Sequence, residues 1–376
     1  MAQARGRDQV TTNKVLAAVI PAPRAAVELR EVEEPELERD SALLAVELSE
    51  VCGTDVHLQQ GRLAGVPYPL VPGHVSVGRL EKVRGRVLDV DGRAFKEGDR
   101  VTFLDVHRTC NACWQCLVAK STTRCPARKV YGITYGLADG LAGGWAEKIY
   151  LKPATRLLRL DGVDTELFMA GGCALPTALH AVERAGVALG ATVLVLGSGP
   201  VGLSAIAFAR MSGALKVLCT GAPDSRLEAA RAVGAAATLN VETHSLEDRA
   251  AWVSENTAGR GADVVIEATD SPAAVVEAMR YARDAGTVVV VGQYTDHGEV
   301  AFNPHLDLNR KHLDVRGCWG ADFSHFYRGA ALMSDPARSA PWSRLRPERY
   351  GLARAGDALA AVASGAVVKA LIDPRM

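Results

Sequence analysis

The chain has 376 residues, and its 43 Lys+Arg are balanced by 43 Asp+Glu, giving a formal net charge of zero. That balance argues against nucleic acid or an anionic membrane as the main partner, because both reward a basic face. The length exceeds one usual core and predicts two domains. A 48% hydrophobic and 23% charged composition excludes a largely disordered chain.

In chain order, residues 1–12 read as a polar tail. The apolar run 15–20 stops at Pro21, too short for a signal-peptide core, and no run is long enough to span a bilayer. A cytoplasmic setting is therefore expected. Thiols stay reduced there, so the eight cysteines ask for a metal or a nucleophile before a disulfide. Up to about residue 165 the texture is β-rich, with strands expected over 43–48, 101–104 and 146–151 between Gly, Pro and charged turns.

From Thr192 the texture changes. A strand over 192–196 leads into a helical stretch through Arg210. A strand over 216–219, an amphipathic segment over 225–233, a strand over 263–267, a helix over 272–284 and a strand over 287–291 follow. This alternation predicts a doubly wound parallel sheet covered by helices on both faces, an α/β fold. The chain then returns to mixed texture near Cys318 and ends in a strand-like segment, 367–372. The parallel-sheet domain is thus expected between two parts of the β-rich one.

Gly197-Ser198-Gly199-Pro200-Val201-Gly202 lies between the first of these strands and its helix. In that context a GxGxxG points to a dinucleotide. Gly197 permits the tight turn, Gly199 lets the backbone approach a pyrophosphate, and Gly202 lets helix and strand pack closely. The helix N-terminus offers free N–H groups to the phosphate. An acid gripping the ribose of NAD is expected at the end of the second strand, where Gly221 stands instead. Arg226 is the nearest cation for a 2′-phosphate, and a solvated charge is its commoner fate. The choice between NAD and NADP stays open.

Cys110, Cys113, Cys116 and Cys125 form a compact set that can close a tetrahedral Zn²⁺ site; four thiolates can equally hold an iron–sulfur cluster. Cys52, His74 and Cys173 are scattered along the chain. Three ligands from distant segments, with one position left for substrate, is the pattern of a catalytic metal. Singly, each has a bland alternative as a buried thiol or a core histidine.

With CGTDVH at 52–57, PGH at 72–74, the four-cysteine lobe, GGC at 171–173 and GSGPVG at 197–202, the chain resembles the zinc-dependent medium-chain alcohol dehydrogenases over nearly its whole length. The resemblance implies a Rossmann-type nucleotide-binding domain over 174–317. It implies a β-rich, GroES-like catalytic domain over 1–173 and 318–376, with a zinc lobe at 107–127. It implies two Zn²⁺ per chain: a catalytic ion on Cys52, His74 and Cys173, and a structural one on Cys110, Cys113, Cys116 and Cys125. Asp55 would orient His74, and Thr54 and His57 would carry a proton relay. Lys369 would approach the cofactor pyrophosphate, while Pro200, Val201 and Val291 complete the expected NAD(P) contacts.

Two departures stand out. Val75 replaces the glutamate usual after the metal-binding histidine. The last interval of the lobe holds eight residues where seven is usual, a cheap change in a loop. Retention of both ligand sets argues against a zinc-free enoyl or quinone reductase. Thr54 and His57 argue against a non-catalytic zinc- and nucleotide-binding protein. The implied reaction is hydride transfer between an alcohol, or its aldehyde or ketone, and NAD(P). Tyr68, Trp114, Trp145 and Trp319 are pocket candidates that could equally be core. A homodimer or homotetramer is expected, with an interface around 288–291 and Cys318.

Overall fold

The computed structural model describes residues 13–376, so the predicted tail lies outside the described residues. A six-stranded, all-parallel sheet forms one centre of the molecule. Its order is Ala237–Asn240, Lys216–Gly221, Thr192–Leu196, Ala262–Glu267, Ala282–Val290, Asp314–Gly317. Numbered along the chain this is 3-2-1-4-5-6, the Rossmann order. The strands read as near-continuous apolar runs because helices cover both faces. Val193, Leu194 and Val195 are each fully buried. The order reverses between Thr192–Leu196 and Ala262–Glu267, so the crevice for a ligand opens beyond Leu196 and Glu267.

A second, mainly antiparallel sheet runs Glu348–Tyr350, Ala370–Ile372, Ser41–Val51, Ser76–Arg84, Arg100–Phe103, Leu157–Arg159, with Lys148–Leu151 also paired to Ser41–Val51. Register shifts between Leu43 and Leu44 and between Val46 and Leu48 bend the long central strand. That bend lets it serve several partners along its length. The C-terminal strand joins it in the register Ala370↔Val51, Leu371↔Glu50, Ile372↔Ser49, so the last residues of the chain return to the beginning of the CGTDVH motif.

The expected strands appear at or within a few residues of their predicted places. One prediction overran. The helix expected over 272–284 is Pro272–Tyr281, because Ala282 turns extended and pairs with Ala262. Sheet pairing there overrides local helical preference. Within the expected interface segment, Val288 and Val289 are fully buried and Cys318 is 5% exposed, so these side chains pack in the chain's own core. Among the described residues no helix is long and apolar enough to cross a membrane.

Candidate active site and metal centres

Cys52 ends the long strand Ser41–Val51 and caps the helix Gly53–Gln59. Its Sγ accepts from the Thr54 N–H at 3.3 Å, while the Asp55 carboxylate accepts from the Cys52 N–H at 2.9 Å. This reciprocal cap fixes both side chains. Asp55 is fully buried and also accepts from Gly73 N–H at 3.4 Å. Its Oδ1 lies 3.9 Å from His74 Nδ1, which leaves His74 Nε2 facing Cys52 Sγ at 3.8 Å. Cys173 precedes the helix Ala174–Ala185. The donor atoms of Cys52, His74 and Cys173 all lie within 4.8 Å of one another.

The three groups share their protons as a set. A hydrogen bond from Cys173, with the His74 charge beside it, holds the Cys52 thiol well below its usual value despite burial. That same bond and burial push Cys173 well up. Burial alone would lower His74, but the Cys52 thiolate and Asp55 outweigh it and raise His74 to about 10. Burial and the Cys52 charge push Asp55 well up.

The second cluster is Cys110, Cys113, Cys116 and Cys125, whose sulfurs also lie within 4.8 Å of one another. Cys125 Sγ is 3.5 Å from Cys110 Sγ and 4.0 Å from Cys113 Sγ. A tetrahedral ion with Zn–S bonds of about 2.3 Å holds its sulfurs roughly 3.8 Å apart, so both clusters have zinc-sized spacing. Backbone N–H groups of Cys113 and Cys110 point at Cys110 and Cys125 Sγ, each at 3.3 Å. All eight cysteines are free, which answers the disulfide alternative. The lobe rests on Trp319, with the Arg124 and Arg128 guanidiniums 4.7 and 5.2 Å from its ring.

Thr54 and His57 lie three residues apart on the helix that Cys52 caps, hence on one face. His57 Nδ1 is buried without a hydrogen-bond partner. Burial, with His297 and Arg62 adding to it, lowers the His57 pKa. Two residues of this neighbourhood escaped the sequence reading. The Tyr294 ring sits 6.5 Å from His57, and the His297 ring 5.6 Å. Tyr294 stacks on Trp319 at 5.5 Å and 10°. Of the four aromatic pocket candidates, Trp319 alone joins this group. Trp145 is fully buried core, Trp114 is 65% exposed, and Tyr68 donates to the Leu58 carbonyl.

At the nucleotide crevice, Gly197 has φ +108°, and a Cβ there would meet Ala268 O at 2.6 Å. A Cβ on Gly202 would meet Gly197 O at 1.9 Å, whereas one on Gly199 would meet nothing within 4 Å. The loop is therefore tight against strand and helix and open where a phosphate would come. Gly199 caps the helix Pro200–Met211, with Pro200 in its first turn and Val201 next. Val291 N–H bonds Glu267 O at the neighbouring strand end.

Gly221 has a steric reason to be glycine, since a Cβ would lie 2.4 Å from Ser198 Oγ. Arg226 turns away from a phosphate role: its guanidinium donates to Val367 O at 3.1 Å and packs on Gly365. Lys369 also departs from its expected place. Its ammonium, 2% exposed, pairs with the fully buried Glu50. The Ala370↔Val51 register puts Lys369 there.

The family models described as alcohol dehydrogenase GroES-like domain and zinc-binding dehydrogenase match residues 38–162 and 200–335. The 5-exo-hydroxycamphor dehydrogenase of Pseudomonas putida is 32% identical over 335 residues, 88% of this chain and 91% of that protein. The chain belongs to the zinc-dependent medium-chain dehydrogenase family. Among solved structures of this family, an alcohol dehydrogenase from Thermotoga maritima superposes with a TM-score of 0.90 at 32% identity, covering 96% of this chain and 99% of that one. A zinc-binding dehydrogenase from Sinorhizobium meliloti 1021, bound to NADP, gives 0.81 at 26% identity, covering 96% and 100%. These superpositions span both sheets.

Proposed function

We propose that this oxidoreductase interconverts an alcohol with its aldehyde or ketone at the Cys52–His74–Cys173 centre. The observation that carries the reading is this trio of converging donors, one short of a closed tetrahedron, beside Thr54 and His57. Cys52, His74 and Cys173 would hold a zinc ion and leave a position for substrate oxygen, while the four-cysteine lobe would hold a second, closed one. When bound, zinc supplies Lewis acidity to that oxygen and the nicotinamide takes up or returns the hydride.

The chain's own residues do the rest. Asp55, 3.9 Å from His74 Nδ1, places a carboxyl group behind the ring whose Nε2 faces the donor cluster. Thr54 passes on the substrate hydroxyl proton, and His57 Nδ1 is the base that receives it. Gly197, Gly199 and Gly202 shape the pyrophosphate loop at the N-terminus of Pro200–Met211. Gly221 offers neither a carboxylate for a ribose hydroxyl nor a charge against a 2′-phosphate, and Arg226 is held by Val367. The site accordingly suits either NAD or NADP. The NADP seen in the Sinorhizobium relative supports including the phosphorylated form. The two sheets support a catalytic part over 1–173 and 318–376 and a nucleotide part over 174–317. A cytoplasmic homodimer or homotetramer remains the working assembly.

The test joins metal analysis to an activity screen. Wild-type protein should carry two zinc ions and reduce both a ring ketone and an open-chain carbonyl series to differing extents with NADH or NADPH. Cys52→Ser should retain one zinc and lose turnover by at least about 10³-fold. Full turnover in one-zinc Cys52→Ser protein overturns the reading.

A further inference from the structure

The residue opposite Val75 is unusual. Glu50 sits on the strand Ser41–Val51, and its N–H bonds Val75 O at 2.9 Å. Continuing the register Leu48↔Val77, Ser49↔Ser76 makes Glu50 and Val75 cross-strand neighbours, with side chains on one face. The position that lacks a carboxylate in this chain therefore has one directly across the strand pair.

That carboxylate is fully buried, where an ion is costly unless it is well partnered. Its partners are specific. Oε1 is 3.1 Å from Cys173 Sγ, and Oε2 accepts from Cys173 N–H at 2.7 Å. Lys369 Nζ pairs with Oε1 and lies 3.5 Å from Gly171 O. The main chain is clamped as well, since Trp145 Nε1 donates to Glu50 O at 2.9 Å. Gly172 makes the space: at φ +52°, a Cβ there would lie 2.1 Å from Glu50 Oε2 and 2.8 Å from Lys369 Nζ. Four separate features of the fold hold an oxygen donor against one of the three sulfur and nitrogen donors.

We infer that Glu50 is the auxiliary carboxylate of the Cys52–His74–Cys173 metal centre, held beside Cys173 by that residue's N–H, restrained by its pairing with Lys369, and able to donate a lone pair to the metal when substrate oxygen leaves. The donor is thus moved one strand over from residue 75, and Lys369 serves the metal site. The inference rests on reading the trio as a metal centre.

The test follows metal release from the intact, zinc-loaded chain into a chelator. The phase missing from Cys52→Ser belongs to this centre. Glu50→Gln should accelerate that phase 10- to 100-fold, the scale typical of residues behind metal ligands, and should shift the visible bands of the Co²⁺-substituted protein. Lys369→Met, which frees the carboxylate from its competing cation, should slow the phase and shift the bands the other way. Adding Val75→Glu to Glu50→Gln should recover slow release, because it returns the carboxylate from the facing strand. Release rates and cobalt bands unchanged in both single variants overturn the inference. If Glu50→Gln fails to fold, Lys369→Met decides it. A wild-type chain that binds only the lobe's single ion would instead sink the metal-centre reading.

Discussion

His57 shows how one residue's surroundings set its chemistry. Its Nδ1 is buried without a partner, and burial plus neighbouring cations lowers its pKa from 6.5. The neutral base population therefore rises with pH through a value below 6.5. Oxidation should show a low-pH limb with its midpoint below 6.5, and His57→Gln should remove that limb and slow oxidation at pH 7 by roughly 10²-fold. A pH–rate profile with the limb intact in the variant would take His57 out of the relay. Cys52 illustrates the same economy of position. It caps a helix and presents its sulfur to His74 at once, so the motif's spacing sets both.

At the scale of elements, the glycine loop and the zinc lobe make separable demands. Gly221 ends its strand so close to Ser198 that any Cβ collides with the loop. Gly221→Asp should therefore weaken both NAD and NADP by about tenfold or more, instead of switching preference. A selective gain of NAD affinity in a titration would refute this steric account. The lobe has little apolar core of its own, and Trp114, Leu117 and Val118 are exposed. Its order depends on the four sulfurs and on Trp319. Cys113→Ser should lower the stability of the chain by on the order of 2 kcal/mol or more, read from denaturant midpoints with zinc content. The folded fraction should keep its turnover. Loss of turnover in fully folded, zinc-loaded Cys113→Ser protein would give the lobe a catalytic part.

Across the whole molecule, the C-terminal segment ties the two sheets together. Trp342 is 1% exposed, donates to Ser204 Oγ at 3.1 Å and packs its ring 5.1 Å from Phe208, both on the helix Pro200–Met211. Trp342→Phe keeps a ring but strands a buried hydroxyl. It should cost about 1–3 kcal/mol, and Ser204→Ala added to it should return part of that loss. Simple additivity of the two changes in a double-mutant cycle would show that the bond is not coupled. Arg226 is a second tie, from the helix Asp224–Ala232 to Val367.

What was legible in the sequence is what short spacing encodes. The parallel strands announced themselves through apolar runs between glycine turns, because burial on both faces leaves no other composition. The members of both clusters were legible because a thiol or imidazole in CxxCxxC, CGTDVH or PGH is tied to its neighbours by local backbone geometry. Only the tertiary structure decided the surroundings of Glu50, Lys369, Arg226 and Tyr294. Each depends on strand register or on contacts between residues tens to hundreds of positions apart. Glu50 meets Lys369 across 319 positions of chain, and no local pattern carries that pairing. The sequence by itself determined the two folds and which thiols and imidazole converge. The packing of the last strand against the first sheet decided which charges stand behind them.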